Sequence, residues 1–139
     1  MILNLPDEKI EIGILERLEK KCFKDESWNI QMLSSHWNHG KGILYQSEDS
    51  EYIGYVLFSE FVSEVEIFKI GVIEEYRRKG IARLMMSYLQ EIYVKIFLEV
   101  KETNFTAIQF YQNSGFSPIG IRKNYYPDGG NAILLNWDK

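Results

Sequence analysis

This chain of 139 residues has one cysteine, three prolines and no apolar run long enough to span a bilayer. With Cys22 alone no internal disulfide can form, and no leader-like pattern is legible, so the expected compartment is the cytoplasm and no membrane is expected as partner. Cys22 lies between Lys21, Phe23 and Lys24 with no histidine beside it, which suits a buried structural thiol better than a nucleophile. Histidine is equally scarce. His36 and His39, three apart, can share a helix face, but no further His or Cys completes a ligand shell, so no metal site is expected.

Basic residues are also short. Sixteen Lys and Arg against twenty Asp and Glu leave a formal charge of −4, which argues against sequence-independent binding to a nucleic-acid backbone. An acidic body can favour basic substrates such as amines or Lys/Arg-rich proteins, although the same charge also serves plain solubility.

What the chain does have is apolar bulk. At 45% hydrophobic and 26% charged, with nine Tyr and eight Phe, it has the composition of an ordinary globular protein. No repeat, linker or low-complexity segment divides it, so residues 1–139 are expected to form one domain with a sizeable core.

A short strand is expected at residues 1–5, stopped by Pro6, with Asp7 capping a helix that carries Ile10, Ile14, Leu15 and Leu18 at helical spacing. A second helix spans 30–37 and ends near Gly40 and Gly42. Three runs rich in β-branched and aromatic residues, 43–47, 52–60 and 65–72, read as an antiparallel meander. Ile81, Leu84, Met85, Tyr88, Leu89 and Ile92 then mark a helix, and 96–100 a buried strand. Strand, helix and strand in that order imply a right-handed crossover with parallel pairing. Asn104 can cap a helix ending at Gly115, and strands near 117–123 and 132–137 flank the turn Pro127-Asp128-Gly129-Gly130.

The chemistry concentrates between Ile70 and Leu84, where a strand passes through a basic turn into the amphipathic helix. A helix start presents unpaired N–H groups and the positive end of the macrodipole. Small residues at Gly80 and Ala82 let a diphosphate approach that backbone, and Arg78, Lys79 and Arg83 add positive charge to an acidic protein. The stretch is neither a P-loop nor a dinucleotide fingerprint, since no Gly-Lys-Ser/Thr and no three-glycine spacing occur. Taken alone, the basic turn is also compatible with a solvated face and ordinary turn chemistry.

Arg77-x-x-Gly80-x-Ala82 resembles the Gln/Arg-x-x-Gly-x-Gly/Ala signature of the GNAT superfamily of N-acetyltransferases. Asn104-x-x-Ala107-x-x-Phe110-Tyr111-x-x-x-Gly115-Phe116 resembles the second half of the same pattern. Leu98-Glu99-Val100 and Arg122-Lys123-Asn124-Tyr125-Tyr126-Pro127 add a likeness to the bacterial members that acetylate the N-terminal alanine of a ribosomal protein. The match runs from about Ile67 to the C-terminus; the first half agrees in element order and around Cys22-Phe23 and Ser27-Trp28. Arg77 stands where glutamine is common and Ala82 where the last glycine is common, and both leave the backbone donors in place.

The resemblance implies an α/β (α+β) fold of GNAT type: a mixed, mostly antiparallel sheet of six to seven strands, flanked by four helices, with a parallel crossover at the central strands. It implies acetyl-CoA as co-substrate, no metal, and direct transfer of the acetyl group to a primary amine. The cofactor contacts it implies are Ile70, Gly71 and Val72 on the strand, Arg78, Lys79, Gly80, Ile81, Ala82 and Arg83 at the helix start, and Asn104. Glu99, a carboxylate in an apolar strand that is costly to bury without a partner, is the expected base. Tyr111, protonated at neutral pH, is the expected acid. Each also has a plain structural reading: Glu99 as a solvent-facing strand residue, Tyr111 as core, Asn104 as a helix cap.

The expected acceptor is a protein N-terminal α-amine, such as that of a ribosomal protein, with Trp28, Tyr125 and Tyr126 as candidate groove residues. Three alternatives stay open: a small amine such as a polyamine, amino acid or drug; a non-catalytic acetyl-CoA-binding regulator; and a plain α/β interaction domain.

Overall fold

The computed structural model describes residues 1–139. One seven-stranded sheet carries four helices: β1 (Ile2–Leu5), α1 (Ile12–Phe23), α2 (Ile30–His39), β2 (Lys41–Gln46), β3 (Tyr52–Phe61), β4 (Glu64–Val72), α3 (Ile81–Ile92), β5 (Lys95–Lys101), α4 (Phe105–Asn113), β6 (Ser117–Arg122) and β7 (Ala132–Asp138). Strand order is β1-β2-β3-β4-β5-β7-β6. Every neighbouring pair is antiparallel except β4 with β5, the two joined through α3. The expected mixed sheet with one parallel crossover is therefore present, at seven strands.

Two glycines show which helix covers which face. A Cβ on Gly54 would meet Met85 at 3.2 Å and Ile81 at 3.4 Å, so α3 packs on that side of β3. A Cβ on Gly71 would meet the Tyr55 ring at 2.9 Å and Cys22 Sγ at 3.1 Å, so α1 covers the other side. A strand glycine such as Gly71 can also mark a bulge, but the register irregularity of β4 lies elsewhere. Leu57 faces Lys69 while Phe58 faces Ile67, which leaves Phe68 as the extra residue. Gly71 is there because nothing larger fits between β4, Tyr55 and Cys22. Gly71→Ala is expected to lower stability by about 1–3 kcal/mol through overpacking, read as a lower urea midpoint at unchanged slope.

Leu15, Leu18, Leu33 and Leu57 fill the core beneath α1 and α2, and Met85, Met86, Leu89 and Ile96 that beneath α3. The first helix starts later than its apolar spacing suggests. Asp7 Oδ1 accepts from the Lys9 amide at 2.8 Å, and the Asp7 carbonyl accepts from Ile10 N–H at 3.0 Å. That carboxylate closes a turn on itself instead of capping a helix, which then begins at Ile12. Asn29 and Asn104 do cap helices, accepting from Met32 N–H at 2.9 Å and Ala107 N–H at 3.2 Å. No helix is long and apolar enough to cross a membrane.

Candidate active site

Parallel pairing between β4 and β5 is short: Glu64 to Ile67 face Lys95 to Leu98, and the strands part beyond. The bulge at Phe68 bends β4 where the ladder ends. A cleft of about 1590 Å³ opens at this gap, bordered by both strands, the α3 start, α4 and the segments around Trp28 and Tyr125. Ile70, Gly71 and Val72 form its β4 wall.

At one end sits the α3 start. Gly80 occupies the N-cap position with φ +80°, a left-handed conformation suited to glycine, and its missing Cβ would point into open space. Arg78 also has positive φ, +62°. None of the amides from Arg78 to Arg83 donates to a backbone or side-chain acceptor, the first such bond of this helix being Leu84 N–H to Gly80 O at 2.9 Å. Arg78, Gly80, Ile81, Ala82 and Arg83 line the cleft. Lys79 does not; its ammonium lies 5.3 Å from the centre of the Tyr76 ring. Arg77 Nε donates to the Val72 carbonyl at 2.8 Å, tying the turn to the end of β4.

Glu99 lies at the cleft on the face covered by α1, its side chain 16% exposed, with Oε1 2.9 Å from Arg122 Nε. Glu66, one ladder step away on β4, lines the same cleft. Burial and the neighbouring Glu99 hold the Glu66 carboxyl above the ordinary carboxylate range, against an opposing pull from Arg122. The Glu99 charge also raises the Tyr125 phenol, and burial first and then Glu99 raise that of Tyr126.

Tyr111 enters from α4. It is 7% exposed, packed edge-on to Phe110 at 5.4 Å and tilted against Phe116 at 5.6 Å, and it lines the cleft. Burial raises its phenol pKa, so the hydroxyl stays protonated well above neutrality. Asn104, at the start of α4, borders the cleft as well as capping the helix. Cys22 is only half-buried and also borders the cleft, where desolvation pushes its thiol to about 11 and keeps it from being a ready nucleophile. The rings of His36 and His39 are bonded to the carbonyls of Lys41 at 2.7 Å and Ser35 at 3.0 Å.

Residues 13–116 match the acetyltransferase (GNAT) family. The chain belongs to the GNAT family. It is 33% identical over 105 residues to an N-alpha-acetyltransferase of Saccharolobus solfataricus, the match covering 63% of each chain. It is 29% identical over 96 residues to the ribosomal protein bS18-alanine N-acetyltransferase of Escherichia coli, covering 64% of this chain and 65% of that one. The matched segments thus span just under two thirds of these curated relatives. Its fold superposes on the Escherichia coli ribosomal-protein-S18-alanine N-acetyltransferase crystal structure with a TM-score of 0.83 at 22% identity, covering 99% of this chain and 94% of that one.

In this GNAT chain the cleft gathers eleven of the twelve residues expected from sequence, Lys79 being the exception. Sequence reasoning missed Glu66. Strict alternation along β4 miscounts its faces, because Phe68 is a bulged residue; a glutamate directly before Ile67-Phe68 was the only signal available.

Proposed function

We propose that the protein transfers an acetyl group from acetyl-CoA to the α-amine at a protein N-terminus, the whole chain acting as one cytoplasmic catalytic domain. The observation that supports this most is the division of the cleft: unpaired helix-start amides at one end, and Glu66 and Glu99 on the α1-covered face of the strand gap. The cavity fits a long thioester carrier because Gly80 leaves open space beside those amides and the β4–β5 ladder stops at Ile67.

Acetyl-CoA, when bound, supplies an activated acyl carbonyl that an amine can attack without a covalent enzyme intermediate. The amides of Arg78 to Arg83 are the donors for its diphosphate, reinforced by the positive end of α3 and the Arg78 and Arg83 side chains. Ile70, Gly71 and Val72 offer β4 backbone groups beyond the end of the ladder to the carrier's arm, a backbone N–H there serving as oxyanion donor, and Asn104 borders the same path. Glu99 takes the proton from the incoming ammonium, and Glu66 beside it adds a second carboxylate that attracts a cationic acceptor. The Tyr111 hydroxyl, held protonated by burial, donates to the leaving sulfur.

An α-amine, with a pKa near 8, needs less help at neutral pH than a lysine side chain near 10.4. The names of the two relatives, one an N-alpha-acetyltransferase and the other a ribosomal protein bS18-alanine N-acetyltransferase, support the α-amine, and a ribosomal protein is the acceptor to try first. The test is incubation with acetyl-CoA and peptides bearing free Ala, Ser, Met or Gly termini, a blocked-terminus lysine peptide and polyamines, scored by mass. A single acetyl increment on free-terminus peptides is expected; mass gain confined to the blocked lysine peptide or polyamines would overturn the α-amine reading in favour of a small-amine or lysine acceptor.

A further inference from the structure

Glu19 is the one fully buried charged residue, in the middle of α1 at 0% exposure, and nothing in the mechanism above uses it. A carboxylate in the core is costly to desolvate unless its oxygens are occupied. Both are. Oε2 accepts the Trp28 amide at 2.7 Å, and Oε1 accepts the Tyr55 hydroxyl from β3; burial first, and then the Glu19 charge and this bond, push the Tyr55 phenol far up. Lys69 Nζ, on β4, lies 3.7 Å from Oε2 with its side chain only 13% exposed.

Lys69 reaches the same segment from the other side. Its ammonium donates to the Glu26 carbonyl at 3.3 Å, and stands 3.9 Å from the centre of the Phe23 ring and 5.7 Å from that of Trp28. The stretch between α1 and α2 has little else to hold it. It leaves α1 through Lys24 at φ +50°, its one local backbone bond between the helices is Ser27 N–H to Lys24 O at 3.1 Å, and Asp25 and Glu26 are exposed. Yet Phe23, Glu26 and Trp28 wall the cleft. They stand on the α1 side of the sheet, as Glu66 and Glu99 do.

We propose that Glu19 and Lys69 are positioning residues: a buried carboxylate and an ammonium that together hold the Phe23–Trp28 segment as the acceptor-side wall of the cleft. An apolar residue would fill the space of Glu19 with less desolvation, so what the charge adds is direction, by tying the Trp28 amide, Tyr55 and Lys69 to one point. This inference rests on the acceptor reading above for its catalytic consequence, but the clamp itself is observable without catalysis.

Variants at both positions, read by hydrogen exchange and by kinetics, test it. Glu19→Gln keeps the shape but gives up one acceptor oxygen and the charge; Lys69→Met keeps the stem and loses the ammonium. Hydrogen exchange is expected to speed at the Trp28 amide by about tenfold or more in Glu19→Gln, the loss of one charge-assisted bond. With a free-terminus peptide, both variants are expected to raise acceptor KM by about tenfold, with kcat at saturating peptide and acetyl-CoA Kd changed by less than about threefold. The double variant should be little worse than the weaker single one, because both act on the same segment, and Lys69→Arg should recover most of the loss. Unchanged exchange at Trp28 overturns the clamp, whatever the activity. Altered exchange with an unmoved acceptor KM, or with the loss falling on acetyl-CoA Kd or kcat, overturns its role as acceptor wall. If the wild type acetylates no amine while exchange at Trp28 still responds, the clamp stands and the proposed function is what has failed.

Discussion

Gly80→Glu is expected to weaken acetyl-CoA binding by about a hundredfold while leaving the protein folded. The position has φ +80°, and a Cβ placed there meets no atom within 4 Å, so the new side chain has room in the fold and projects at the mouth of the cleft. A non-glycine residue in the left-handed region costs about 1–2 kcal/mol, which lowers stability modestly. The carboxylate's larger effect is electrostatic. A like charge about 5 Å from a bound diphosphate costs about 3 kcal/mol at an effective dielectric near 20, a factor of about a hundred in Kd. Gly80→Ala carries the backbone strain without the charge and separates the two contributions. Calorimetric titration with acetyl-CoA reads both variants, and binding by Gly80→Glu within about threefold of the wild type would remove the α3 start from the ligand site and the proposed activity with it.

Glu99→Gln and Tyr111→Phe are the second large effect, and they fall on turnover. Each is expected to lower kcat by about 10² to 10³, the usual contribution of a positioned acid or base, with acetyl-CoA Kd nearly unchanged. Neither should unfold the chain. Glu99→Gln breaks an ion pair whose Arg122 side chain is 54% exposed and can be solvated, and Tyr111→Phe keeps the ring against Phe110 and Phe116. Glu66 stands next to Glu99, so Glu66→Gln combined with Glu99→Gln distinguishes a single base from two carboxylates sharing the task. A regulator that only senses acetyl-CoA would keep its function in Glu99→Gln and Tyr111→Phe and lose it in Gly80→Glu. Single-turnover acetylation followed by mass spectrometry tells the two apart.

Much of the architecture was legible because it is written in local periodicity. The apolar spacing from Ile81 to Ile92 matches α3 end to end, and the asparagine cap at Asn104 acts over three residues. Asp7 shows where local reading fails: the same side chain satisfies a turn or a helix start, and the turn wins because Ile10 already bonds the Asp7 carbonyl. The carboxylate side of the cleft was not legible in alternation alone: the phase of β5 equally suits a solvent-facing Glu99, which the family resemblance singled out. Glu99 sits on an unbroken β5 whose buried residues alternate, whereas Glu66 precedes the bulge at Phe68, after which alternation no longer reports the face.

The chain's own order of residues carried the turn from Val72 to Leu84, whose glycine, small residue and flanking cations produce a helix start open to an anion through contacts a few residues long. Helix propensity, capping and left-handed glycine are near-neighbour effects, so they survive without knowledge of the fold. The convergence of Glu19, Trp28, Tyr55 and Lys69 was legible in no segment, because it joins a helix, a connection and two strands as many as 50 positions apart. Where those polar groups meet depends on which faces the sheet buries and where β4 parts from β5, and long-range packing settles both.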